Sequence, residues 1–241
     1  QIQALKEPAN YRPTLLLVVL FTLRELGGSL VIFCYAPFFF DTAGTPLDPF
    51  SATVLLGFTR LLFTVVASFS VDIFGRRALY VNSSFVCCSM MLLTGLILMY
   101  PNPASSWVPL VAMVIFVAFY GLGPGPMPWV LMGEILPTPV RSISASICNF
   151  VFCLFFYLQT LFFPQLVVRF GLPPLLLAFG AFNAVTTFVV WLFLPETRGR
   201  TLEDLQTAFV GAALRPFKRQ REGYLQPYGS SYAEKVKLIP G

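Results

Sequence analysis

Three ionisable side chains lie where this chain is most apolar. Arg24 and Glu25 are neighbours, and Arg60 stands in the next hydrophobic stretch. A guanidinium stays protonated at neutral pH, so two such arginines hold anions rather than move protons. The sequence contains no histidine to activate a serine or cysteine, which argues against hydrolytic or acyl-transfer chemistry. Its five cysteines (Cys34, Cys87, Cys88, Cys148 and Cys153) all fall in apolar runs, without a C-x-x-C pair or a disulfide framework. No metal site is expected. The chemistry open to these residues is the holding of a small solute inside a low-dielectric medium.

The second feature is a run of prolines and glycines, Gly123-Pro124-Gly125-Pro126-Met127-Pro128-Trp129, with apolar sequence on both sides. Proline removes a backbone donor and glycine adds freedom, so no regular helix passes through Gly123, Pro124, Gly125, Pro126 and Pro128. Hydrocarbon tolerates freed backbone groups only where protein or a water-filled cavity covers them. A broken membrane helix lining a solute path is expected, with Trp129 just past the break and facing the cavity.

The composition sets the surroundings. The 241 residues are 56% hydrophobic, with a mean hydropathy of +0.75, and only 11% are charged; soluble domains carry about 25% charged residues. Six stretches are long enough to span a bilayer: residues 14–40, 50–71, 78–100, 107–133, 142–163 and 172–194. The fold class is an all-α membrane protein with six transmembrane helices in one bundle. Residues 1–13 read as a cytoplasmic lead-in rather than a signal peptide, and residues 195–241 as a cytoplasmic tail, a short helix followed by disorder. Thr201 and Asp204 would cap that helix, and Arg215, Lys218, Arg219 and Arg221 follow it. Since the first residue is not methionine, a fragment of a longer product is expected. Lys6, Arg12, Arg76, Arg77, Arg141 and the tail share one side, so both termini are expected in the cytoplasm. Nothing points to nucleic acid.

Four motifs at matching intervals carry a resemblance: Asp72-Ile73-Phe74-Gly75-Arg76-Arg77 after the second span, the Gly123–Trp129 run in the fourth, Glu134 with Arg141 beyond it, and Pro195-Glu196-Thr197-Arg198-Gly199 after the sixth. The chain resembles the C-terminal half of sugar porters of the major facilitator superfamily. Residues 129–137 and 201–204 look like the arthropod facilitated trehalose transporters. This likeness implies helices seven to twelve of a twelve-helix carrier that is not an enzyme and binds no cofactor. It implies alternating access by rocking two halves, and hence a partner: the missing N-terminal six-helix half or a second copy. It also implies a multi-pass protein, of the plasma membrane, moving a sugar. Asp72, Arg76, Arg77, Glu134, Arg141, Glu196 and Arg198 would form a cytoplasmic charge network that latches the halves.

The substrate positions depart from the family. Its helix-seven pattern Gln-Gln-x-x-Gly-x-Asn is here Arg24-Glu25-Leu26-Gly27-Gly28-Ser29-Leu30. Its helix-eight asparagine aligns with Arg60, and its helix-eleven Asn-Trp pair with Phe152-Cys153; Asn149 lies one turn away and stands in only partly. Of the usual sugar contacts, Trp129 is clearly kept. The resemblance-based set is therefore Trp129, Arg24, Glu25, Arg60 and Asn149. Adjacent helical residues diverge by about 100°, so Glu25 is expected to pair with Arg60 rather than with Arg24. Tyr120 and the aromatic run from Phe150 to Phe156 read as packing or lipid contact. Two accounts of the charges stay open: a cavity for an anion or sugar acid, or a decayed site whose charges meet acids on the absent half. The function classes are accordingly three: a sugar-carrier half of doubtful sugar selectivity, a non-transporting remnant or regulatory membrane protein, and an organic-anion carrier.

Overall fold

The computed structural model describes residues 8–100 and 106–194. The described residues form nine helices: α1 (Pro8–Leu26), α2 (Ser29–Cys34), α3 (Ala36–Ala43), α4 (Pro49–Phe74), α5 (Arg76–Met99), α6 (Val108–Leu122), α7 (Met127–Ile135), α8 (Arg141–Phe170) and α9 (Leu172–Phe193). They make six stretches long and apolar enough to cross a membrane: Asn10–Cys34, Pro49–Val71, Arg76–Met99, Val108–Ile135, Arg141–Phe170 and Leu172–Phe193.

Local chemistry fixes the corners. Pro49 opens α4 while the Asp48 side chain accepts from the Ser51 amide at 3.2 Å, satisfying one of the free donors of the first turn. Single glycines with positive φ, Gly75 (83°) and Gly171 (83°), separate α4 from α5 and α8 from α9, so successive spans reverse with almost no loop.

The fifth span, α8, runs past the expected end at residue 163, through Pro164 to Phe170. Pro164 has no amide to give the Thr160 carbonyl, and the Tyr35 hydroxyl donates to that carbonyl instead, at 3.1 Å. With the orphan acceptor satisfied, the helix continues. The first helix likewise begins at Pro8, inside the stretch read as a lead-in.

Packing is uneven. α5 packs most extensively on α9, and α6 lies between α4 and α5. The buried apolar residues form two clusters along the bundle. One joins Ile32, Phe39, Leu56, Met91, Phe116 and Phe163; the other joins Leu17, Phe21, Tyr80, Leu131, Cys148 and Val190 at the arginine-rich end. Buried polar side chains, among them Arg24, Glu25, Ser29, Ser83 and Asn183, are carried by residues between the two clusters. By contrast, only 22% of the second span's apolar window and 11% of the fifth's are buried, so α4 and α8 present long apolar faces outward.

Candidate functional site

The polar layer is built by two broken helices. The first break was not expected: α1 stops at Leu26 and restarts as α2 after Gly27-Gly28, where Gly28 adopts φ 72°. Any Cβ on Gly28 would lie 2.4 Å from the Phe179 ring, and one on Gly27 would lie 2.9 Å from the Asn183 amide. Asn183, from α9, donates to the Gly27 carbonyl at 3.1 Å. The glycine pair and a lone asparagine in an apolar helix were the available signals. Intramembrane asparagine needs a partner, and an unwound carbonyl is one.

The second break is the expected one. α6 ends at Leu122 and α7 begins at Met127. Pro124 and Pro128 have no N–H for the carbonyls of Tyr120 and Pro124 four residues earlier. The Tyr120 carbonyl takes the Gly125 amide at 2.8 Å instead. The Pro124 carbonyl takes Nε of Arg24 at 2.9 Å. Gly123 allows close approach to α5, since a Cβ there would lie 2.6 Å from that of Ser83.

Arg24 therefore joins the two breaks. Its Nη1 also contacts Oε1 of Glu25 at 3.0 Å, and the two residues are 5% and 2% exposed. This corrects the expected Glu25–Arg60 pair. The 100° divergence applies to Cβ directions on a continuing helix, but here the helix ends one residue beyond Glu25. The long arginine stem reaches across to Pro124 and still meets its neighbour's carboxylate. Arg60 lies elsewhere: its guanidinium carbon is 4.6 Å from the Phe33 ring centroid and 5.8 Å from that of Tyr120. Arg24 approaches the same Tyr120 ring, also at 5.8 Å, and Phe152 at 5.5 Å. Both arginines thus sit at the level of the break, around one tyrosine that sequence reasoning set aside as packing.

Trp129, in the first turn of α7, lies edge-on to Phe21 at 4.9 Å and to Phe152 at 5.3 Å, and Phe152 stacks on Phe156 at 6.2 Å. The aromatic run of α8 is therefore partly drawn into the site rather than wholly turned to lipid. Asn149 is exposed on α8, and no hydrogen bond of its side chain is among those described.

At the far end, Arg76 contacts Oε1 of Glu134 through Nε at 3.2 Å and Nη2 at 3.1 Å. Arg77 donates to the Trp191 carbonyl in the last turn of α9. Arg141 donates to the Leu136 carbonyl at 3.3 and 3.4 Å, where α7 ends. Cations belong beside such exposed carbonyls. The side chain of Asp72, and Glu196, Arg198, the Thr201–Asp204 helix and the basic cluster of the tail, lie outside the described residues.

The six-span bundle has known counterparts. Residues 1–209 match the family model for sugar (and other) transporters. The chain belongs to this sugar transporter family. It is 32% identical to the rat solute carrier family 2 facilitated glucose transporter member 3 over 217 residues, which are 88% of this chain and 43% of that protein. It is 30% identical to a facilitated trehalose transporter of Anopheles gambiae, over 86% of this chain and 27% of that one. Among solved structures, the proton:xylose symporter XylE bound to 6-bromo-6-deoxy-D-glucose superposes with a TM-score of 0.73 at 30% identity, covering 81% of this chain and 42% of the symporter. The inward-open xylose transporter XylE from E. coli gives 0.72 at 28%, covering 81% and 42%. The six spans are thus one half-bundle of a major facilitator fold, and the chain spans less than half the length of these relatives.

Proposed function

We propose that this chain is the C-terminal half of a sugar-transporter-like facilitator that moves a small solute by alternating access. The observation that carries the reading is the bridge at the two helix breaks: Arg24 binds the Pro124 carbonyl, which Pro128 leaves without its helical donor, next to Trp129 and Phe152. Two interrupted helices joined at one level can move together while their backbone stays satisfied. Trp129, Arg24, Glu25, Arg60 and Asn149 line the solute path in this reading, and Gly123, Pro124, Gly125, Pro126 and Pro128 form its gate. Arg76 with Glu134, together with Asp72, Arg77, Arg141, Glu196 and Arg198, forms the latch on the cytoplasmic side of the plasma membrane, where both chain ends lie. The outward apolar faces of α4 and α8 are what a missing N-terminal half, or a second copy, would cover together with lipid.

The test is uptake by the full-length protein in sealed vesicles, with labelled glucose, trehalose and a sugar acid. Saturable uptake of any of these supports the reading. Background uptake of all three by an inserted, folded protein supports the non-transporting remnant.

A further inference from the structure

We infer that the solute handled by this half carries one carboxylate, bound by Arg60. The inference rests on the carrier reading above and adds the chemical class of its solute.

The argument is one of charge. Residues 8–194 contain five acidic side chains: Glu25, Asp41, Asp48, Asp72 and Glu134. Asp48 and Asp72 each lie twelve residues from Arg60 on α4, about 18 Å away along the helix at ~1.5 Å per residue. Asp41 lies at the end of α3, before the turn that leads to Asp48. Glu134 is held by Arg76 at the other end of the bundle. Glu25 is the acid at the right depth, and its Oε1 is taken by Arg24. Arg60 has no salt bridge among the described residues, so one positive charge is left at the level of the helix breaks. A charge at mid-membrane depth is expensive unless something answers it.

The way Arg60 is held indicates what answers it. Its guanidinium carbon lies over the Phe33 and Tyr120 rings, and no hydrogen bond from its N–H groups is among those described. Contact with ring faces uses the charge of a guanidinium without using up its N–H donors as an acceptor would. Those donors match a carboxylate two at a time. Arg60 is only partly buried, whereas Arg24 is enclosed and its Nε and Nη1 are already engaged. The Tyr120 hydroxyl is buried beside Arg24 and closes no hydrogen bond of normal geometry among the described residues.

The rest of the wall suits a ring better than a polyol. Phe21 and Phe152 lie edge-on to Trp129 and Phe156 stacks on Phe152, while the other amides of α8, Gln159 and Gln165, stand seven and thirteen residues beyond Phe152. A polyol loses hydrogen bonds to water that such a wall does not replace. A ring bearing one carboxylate, whether a sugar acid or an aromatic acid, exchanges its charge for Arg60 and its face for the aromatic cluster.

Two measurements on the full-length protein test this: equilibrium binding to purified protein, and uptake into vesicles at zero membrane potential. The probes are labelled glucuronate, benzoate, glucose and trehalose. Expected is binding and uptake of glucuronate or benzoate at least about tenfold above the neutral sugars. Arg60→Asn should remove that preference by about tenfold or more, and Arg60→Lys should keep part of it. Which acid wins distinguishes the sugar-acid from the aromatic-acid source. Glucose or trehalose bound and carried with carboxylates at background overturns the carboxylate assignment and leaves the carrier reading standing. A carboxylate preference unchanged in Arg60→Asn also overturns the assignment. Carboxylate binding that depends on Arg60 without uptake of any probe sustains the assignment and overturns the carrier reading. No binding of any probe overturns both.

Discussion

Arg24 and Arg60 lie at the same distance from one tyrosine ring, 5.8 Å, yet they are held in opposite ways. Around Arg24 the protein supplies everything: a carboxylate at 3.0 Å, a backbone carbonyl at 2.9 Å and two rings. Around Arg60 it supplies only rings. The difference separates a charge that holds a fold from a charge kept for something else. In an apolar half-bundle, a saturated arginine is part of the backbone's own hydrogen bonding. An arginine that meets no acceptor among the described residues is, in this reading, a binding group, and its cost is carried by the rest of the structure.

The largest effect should follow from removing the saturated one. Arg24→Gln leaves Glu25 buried without its cation and the Pro124 carbonyl without its donor. Breaking one side of a buried pair is expected to destabilise by about 3–5 kcal/mol. Arg60→Asn loses only contacts with rings, worth about 0.5–2 kcal/mol. Thermal or denaturant unfolding of the full-length protein in detergent compares them directly. Equal losses in both variants would break the distinction between the two arginines.

Next comes the glycine turn that lets Arg24 reach its targets. Gly28→Ala puts a Cβ 2.4 Å from the Phe179 ring at φ 72°. Overpacking of this kind is expected to lower stability by about 1–3 kcal/mol. If the break serves movement, uptake should fall by more than the lost folded fraction explains. A variant as stable as the parent would show that the unwound segment is looser than its contacts suggest.

How much of this was legible follows from where each signal resides. The six spans and the break between α6 and α7 were open to reading, because prolines and long apolar runs act locally, whatever packs beside them. The helix-seven break was written in Gly27-Gly28 but needed Asn183, 156 residues away, to become stable. The continuation of α8 through Pro164 needed the Tyr35 hydroxyl, 125 residues away. The Arg24–Glu25 pair was misjudged because a helical wheel assumes a helix that goes on. In each case the missing information was a tertiary partner for a backbone or charged group, which spacing alone does not reveal.

A smaller effect checks that account. Tyr35→Phe keeps the ring against Phe163, 5.2 Å between centroids, and removes only the hydroxyl that serves Thr160. The expected loss is about 1–3 kcal/mol if the carbonyl is left dry, and near zero if water or lipid headgroups reach it. Amide exchange at residues 160–170 reads the local consequence: faster exchange there, unchanged in α5 and α9, places the hydroxyl's effect on α8 alone.

The smallest effect on stability belongs to the Arg76–Glu134 pair, and it sharpens the comparison most. Its side chains are 18% and 29% exposed, against 4% and 1% for Arg24 and Glu25. Water and salt reach it, so Glu134→Gln should cost at most about 1 kcal/mol, less at high ionic strength. A latch, however, is tested by populations rather than by unfolding. If the pair holds one access state, even ~1 kcal/mol shifts that equilibrium several-fold. Accessibility of a single cysteine placed on the path, in the full-length protein, should then change several-fold in Glu134→Gln, and Arg76→Gln combined with it should add little. Independent, additive changes in accessibility from the two substitutions would mean that the pair anchors α5 and α7 to the headgroup zone and holds nothing shut.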